Sequence, residues 1–498
     1  MAGTRKCALP RRVKDMRRLK KSRAAGAVHA VLCVLAVCGT ALAQQAPLPP
    51  APAAQLLVSP VAPISPNGQS SPVSGVASPM PNQPASVQAP DMGPRLTLEQ
   101  AEQMAIKNNP RISIARLLTL AAAQVTREVR SVEMPMANGD LTAVDAHQNS
   151  RITAGYLSNS SVYNRAAGGL SVSQLITDFG HTHNLVLSAQ SNAKAQLESE
   201  RATELDIKLT VDQAFYQALT TEAVLRVAQE TLAQRQATGD QVGALTKSKI
   251  KSDLDLSFAN VQIAQADLLL LDAKNNEQVA MAALNDVLGS ETDQQYTLVD
   301  ETGGNPPPAP ENADALLQTA FGQRPDLAAL NDQSISARQY STAERDLWMP
   351  TVSALAAAGG TPVRADQIES SWYGVAGANV SIPVFNGFLF SADAREARLR
   401  AQAAQENVRD LRDTIARDVR TAVLNAQTAF QRIGVTQGEL NQANFALDLA
   451  QARYKIGLSS IVELTQAQLA QTQAEIDSTN ARYAYQTALA EVQYQLGQ

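Results

Sequence analysis

Tyr454-Lys455-Ile456-Gly457-Leu458-Ser459-Ser460-Ile461-Val462-Glu463-Leu464 separates two long stretches free of proline. Ahead of it, Leu440, Ala443, Leu447, Ala450 and Tyr454 repeat at heptad spacing. Behind it, Val462, Leu469, Ile476, Tyr483 and Ala490 fall seven apart. Gly457 suits the left-handed conformation that closes a helix. The stretch therefore predicts a tight turn between two antiparallel coiled-coil helices. The first helix is expected from near Leu389 to about Lys455, on the order of 100 Å at 1.5 Å per residue.

Working outward, the same pattern occurs twice. Ala105-Ile106-Lys107-Asn108-Asn109-Pro110 parallels Ala320-Phe321-Gly322-Gln323-Arg324-Pro325 at an offset of 215, as Met134-Pro135 parallels Met349-Pro350. Further on the offset is 208, matching Asp178-Phe179 to Asn386-Gly387 and Leu288-Gly289 to Leu496-Gly497. Val211/Val419 and Ala218/Ala426 keep it between those points. The chain reads as a tandem duplication. The first repeat is expected over 95–289, a linker over 290–312 and the second repeat over 313–498. Seven extra residues of the first copy fall between Pro135 and Asp178, where an exposed loop absorbs them best.

Each copy begins with one expected helix, Leu96 to about Glu133 and Ala313 to about Trp348, stopped by Pro135 and Pro350. A stretch rich in Gly, Ser, Thr, Val and Ala follows, with hairpin character. The strands are expected near Leu141–Gly155 and Gly169–Ile176, then Thr351–Ala358 and Trp372–Val384. The long helical hairpin comes last; in copy one it is expected near Asn184–Thr246 and Ser252–Leu288. Two strand hairpins supply four strands. Four cannot close a barrel, but three chains would bring about twelve.

Apolar residues make up 45% of the 498 and aromatics only 4%, which suits helices packed through Ala, Leu and Val. The N-terminus reads as a signal peptide over 1–43. Basic residues from Arg11 to Arg23 precede the apolar run Ala24–Val37 and a small-x-small site at Ala41-Leu42-Ala43. Met16 is an alternative start. Cys7, Cys33 and Cys38 all precede the cleavage site, so the mature chain offers no thiol chemistry. Lipid attachment at Cys38 is a second reading of Leu35-Ala36-Val37-Cys38. Removing the ten bases and one acid before Gln44 leaves 32 Lys/Arg and 46 Asp/Glu, a net charge of −14. That charge opposes nucleic-acid binding. Residues 44–94 hold 13 of the 24 prolines and read as a linker. No later segment is apolar enough for a transmembrane helix, which leaves a β-barrel as the way to span a membrane.

These residues resemble the TolC-type outer-membrane efflux proteins over Leu96 to Gln498. The resemblance rests on Leu98-Glu99-Gln100-Ala101 with Asn109-Pro110, and on Arg324-Pro325-Asp326-Leu327. Gln174-Leu175-Ile176-Thr177-Asp178-Phe179-Gly180, Ile382-Pro383-Val384-Phe385-Asn386-Gly387 and Tyr454-x-x-Gly457 before Val462-Glu463-Leu464 add to it. It implies a mainly α fold with a membrane β-barrel: a homotrimer with a twelve-stranded barrel among outer-membrane lipid and a coiled-coil α-barrel tunnel reaching into the periplasm. It also implies a periplasmic adaptor and an inner-membrane pump as partners. The channel would be a passive exit duct of a tripartite efflux or type I secretion system.

By the same resemblance, Glu463 and its counterpart Asp255 form acidic rings at the tunnel constriction. Tyr454, Gly457, Leu458, Ser459 and Lys249 mark the periplasmic tip and adaptor docking. The family carries an Arg where Ser459 stands, which puts a salt-bridge latch in doubt. Lys249 stands where copy one would carry the tip glycine, so that tip is expected to turn differently. Trp348, Trp372, Tyr373, Phe385, Phe388 and Phe390 read either as an aromatic belt or as core packing. His181 and His183 stand two apart, but no Cys or further His nearby supports a metal site. No phosphate loop, nucleophile elbow or zinc motif is present, so no enzyme activity, cofactor or metal is expected. The alternative reading is a soluble periplasmic coiled-coil adaptor or scaffold.

Overall fold

The computed structural model describes residues 93–145, 151–154, 157–161, 165–290, 294–300, 306–363 and 370–498, with only the backbone described over 151–165. The expected signal peptide, Cys38 and nearly all of the 44–94 linker lie outside the described residues.

Two helices open the first half: α1 (Leu98–Asn108) and α2 (Pro110–Ser131). One continuous helix was expected here; the chain breaks at Asn109-Pro110. Proline has no N–H to give and is preorganised for a first helical position. The Asn109 side chain caps α2 by accepting from Arg111 N at 2.9 Å. The second half repeats the break between α5 (Ala313–Gln323) and α6 (Pro325–Asp346). Each break has a partner. Gly289, with φ +69°, ends its helix against the Asn108–Asn109 backbone, and Gly497, with φ +80°, ends against Gln323–Arg324. A side chain at either glycine would meet that backbone within 3 Å.

Short β1 (Arg95–Leu96) pairs in parallel with β6 (Thr297–Leu298). The principal sheet has four antiparallel strands in the order β2-β5-β7-β8. These are β2 (Met136–Val144), β5 (Arg165–Thr177), β7 (Thr351–Val363) and β8 (Trp372–Ser381). β5 and β7 reach further than expected, while β2 begins and ends earlier than the expected Leu141–Gly155, with residues from 151 on forming a separate hairpin instead. Between β2 and β5 a small separate hairpin, β3 (Arg151–Ala154) with β4 (Leu157–Ser161), occupies the longer loop of copy one.

Two helical hairpins complete the chain: α3 (His181–Lys247) with α4 (Asp253–Val287), and α7 (Leu389–Lys455) with α8 (Ile461–Leu496). Both α3 and α7 run 67 residues, about 100 Å. Two buried clusters use corresponding positions: Ile207, Val211, Ala218, Leu284 and Leu288 in one, and Ile415, Val419, Ala426, Val492 and Leu496 in the other. The heptad expectation held for α7, where Ala443, Leu447, Ala450 and Tyr454 are buried. It failed at the start of α8. Val462 and Leu469 are exposed, and Ile461, Leu464, Gln468 and Thr472 face inward instead. The polar Gln468 and Thr472 meet Thr238 and Thr231 of α3, so the seam is partly hydrophilic and apolar spacing alone misplaced it.

Candidate functional site: a helical tip and a two-faced sheet

At the tip the two helical hairpins meet. Val242 and Ala259 of the first pack with Leu447, Ala450, Tyr454, Ile461 and Leu464 of the second. Both turns are built alike. Gly457 has φ +77° and Lys249 has φ +60°. Leu458 N donates to Arg453 O at 2.9 Å and Ile250 N to Leu245 O at 2.9 Å, the closure of a Schellman turn. The expectation that the Lys249 tip turns differently is thus corrected; lysine accepts the left-handed backbone because the closing hydrogen bond fixes it.

Glu463 and Asp255 each occupy the third position of their helices. Ser460 Oγ accepts from Glu463 N at 3.3 Å. Ser252 and Asp255 form a full capping box, with Ser252 N donating to Asp255 Oδ2 at 3.2 Å and Asp255 N to Ser252 Oγ at 3.2 Å. The half-exposed Glu463 carboxylate lies 3.7 Å from Arg453 Nε. Tyr454 is buried, and its hydroxyl finds no hydrogen-bond partner among the described residues. Burial first, and then the Asp255 carboxylate, push its phenol up. Lys251 Nζ sits 4.1 Å from the Tyr454 ring centroid, a cation–π contact between the two hairpins. Ser459 Oγ is buried without a partner among the described residues.

Sequence reasoning passed over Arg453 and Lys251. A signal existed for Lys251: at the 208 offset it is the counterpart of Ser459. Where the second tip has Ser459, the first has a lysine.

The principal sheet has unlike faces. Residues paired across strands share a face. One face carries Leu141, Leu170, Val172, Ala356, Ala358, Val380 and Trp372, with Gln174 as its polar exception near the helices. These apolar groups are unburied in the single chain; Leu141 is 91% exposed and Trp372 70%. The other face is mixed: it carries Asp140, Asn138, Ser171, Ser173, Ser353, Asn379 and Tyr373, with the apolar Met136, Leu175, Leu355 and Val375 among them. Tyr373 therefore stands apart from Trp372. At the strand-to-helix junctions Trp348 and Phe390 meet edge to face at 5.8 Å, and Phe385 and Phe388 at 5.6 Å. His181 Nδ1 lies 2.9 Å from Ala343 O, a link between helices.

The family described as "Outer membrane efflux protein" matches residues 102–290 and 316–498. The chain is 23% identical to Outer membrane protein TolC of Salmonella enteritidis, over 80% of this chain and 83% of that protein. It is 24% identical to Cation efflux system protein CusC of Escherichia coli O157:H7, over 77% of this chain and 83% of the relative. The fold is similar to crystal structures of CusC (TM-score 0.70, 21% identity, 80% and 92% coverage) and of the Campylobacter jejuni CmeC outer membrane channel (TM-score 0.70, 18% identity, 85% and 94% coverage). The soluble-adaptor alternative falls with these matches, and the chain belongs to the outer membrane efflux protein family, as an outer-membrane exit duct.

Proposed function

We propose that three copies of this chain assemble into one duct, their four-stranded sheets closing a twelve-stranded barrel. The observation that carries this reading is the open sheet, with one face apolar but for Gln174 and the polar side chains gathered on the other. Its edge strands β2 and β8 have no further neighbour among the described residues. Unpaired strand edges do not survive in hydrocarbon, so the sheet must close with copies of itself. The apolar face then meets lipid and the polar face lines the lumen. The long helices extend the lumen through the periplasm.

The tip is the gate of this duct, with Glu463 and Asp255 as its acidic rings. Lys251 on the Tyr454 ring latches one hairpin to the other in place of an ion pair at Ser459. A periplasmic adaptor docks at the turns around Gly457, Leu458 and Lys249, and an inner-membrane pump supplies the energy. The chain itself performs no chemistry; it conducts. Native mass measurement after detergent extraction tests the assembly: the expected species is a trimer that needs detergent. A monomer soluble without detergent would overturn it.

A further inference from the structure

Across the sheet, Tyr373, Gly359, Gly169 and Asp140 stand in one row, each paired with the next by strand register. The tyrosine lies flat over the two glycines. A Cβ on Gly169 would overlap its hydroxyl, and a Cβ on Gly359 would press on the same ring. Its hydroxyl thus ends above the second neighbouring strand, with Asp140 on the third. Asp140 is exposed, and its polar contact is Ser171 Oγ at 3.5 Å. Of the residues in the four principal strands whose side chains are described, Asp140 alone is charged. The row lies toward the loop end of the sheet, since β8 begins at Trp372 and the helices join at Met136, Thr177, Thr351 and Ser381.

We infer that this row is a second selectivity element of the duct, in the outer part of the barrel lumen and separate from the periplasmic tip. The inference rests on the trimeric duct proposed above. The two glycines leave room for the tyrosine against the wall, although Gly359 also faces the Gly168 carbonyl oxygen at 2.5 Å from where a Cβ would stand. A bulky ring standing upright at three places would narrow the bore; laid flat, it leaves the passage open. It also covers backbone at this level, so the side chain that stands free toward passing ions is Asp140. Three such carboxylates around a lumen favour cations over anions. The charge is wet and screened within about 10 Å at 0.1 M salt, so its influence is confined to this level of the barrel.

Planar-bilayer recording tests both halves, with trivalent hexaamminecobalt added to one side at a time. Asp140→Asn is expected to weaken block from the outer side at least about fivefold and to leave block from the periplasmic side unchanged. Gly169→Ala forces the Tyr373 ring off the wall, also pressing on the Ala358 carbonyl oxygen 2.9 Å from the new Cβ, and lowers single-channel conductance. Adding Tyr373→Ala to that variant restores it, which a merely misfolded barrel would not do. A conducting parent with unchanged outer-side block in Asp140→Asn overturns the charge, and unchanged conductance in Gly169→Ala overturns the seat. A parent chain that forms no conducting trimer overturns the duct assembly instead.

Discussion

If the tip is the gate proposed above, single side chains there decide how the duct is held shut. If Lys251 on the Tyr454 ring is the latch, Lys251→Ala and Tyr454→Ala each raise single-channel conductance, whereas Ser459→Ala does little. A desolvated cation–π contact contributes on the order of 1–2 kcal/mol, enough to shift an opening equilibrium about tenfold. Glu463→Gln reduces cation selectivity and block from the periplasmic side, while the exposed Glu406→Gln leaves both unchanged. A different residue, Asp212, carries a pH dependence. Burial, followed by the charge and hydrogen bond of Glu102, raises its carboxyl from 3.8 to about 7, against the opposing charge of Lys208. The folded chain keeps a proton here that the unfolded chain releases near 3.8. Stability therefore falls as pH rises from about 4 to 7. Asp212→Asn removes that slope and stabilises the protein at pH 8 relative to pH 5 by on the order of 1–3 kcal/mol, read from thermal unfolding in detergent.

Among elements, the turns show why local sequence carried so much and where it stopped. Gly457 was legible as a helix stop because glycine adopts positive φ without a steric penalty. No atom lies within 4 Å of where its Cβ would stand, so Gly457→Ala costs only the backbone strain, about 1–2 kcal/mol. Faster hydrogen exchange at the Leu458 amide is the expected readout, and an unchanged rate would show that the turn is held by packing. Lys249 concealed an equal turn, since nothing in a lysine announces φ +60°. The strand-to-helix junctions hold a similar exchange: Phe179-Gly180 and Gly387-Phe388 both place two successive residues at positive φ, with the glycine moved by one. Long helices were legible to within a few residues because uninterrupted periodicity leaves few alternatives; α7 matches its expected limits. The α8 register was not, because its seam toward α3 is made of Gln and Thr. The row from Tyr373 to Asp140 was invisible as well. It depends on pairing between strands nearly 200 residues apart, which no local pattern records.

At the scale of the whole molecule, orientation follows from the loops. The longer connection of copy one, between Val144 and Arg165, leaves the sheet at the end away from the helices. Outer-membrane barrels carry their longer loops outside the cell. A cysteine placed at Asn159 therefore reacts with an impermeant reagent on intact cells, and labelling only after the envelope is broken would reverse the topology. The open sheet has one more consequence, for the time before the duct exists. A lone chain must carry a greasy surface and two bare strand edges through water, and such edges recruit any neighbour. In the trimer proposed above, productive closure needs three chains to meet, so its rate climbs steeply with concentration, while aggregation competes at every encounter. Newly exported chains are thus most vulnerable when expression is low and slow to trimerise, and a holdase that shields Leu141 and Trp372 would lengthen the time available for the right three to meet.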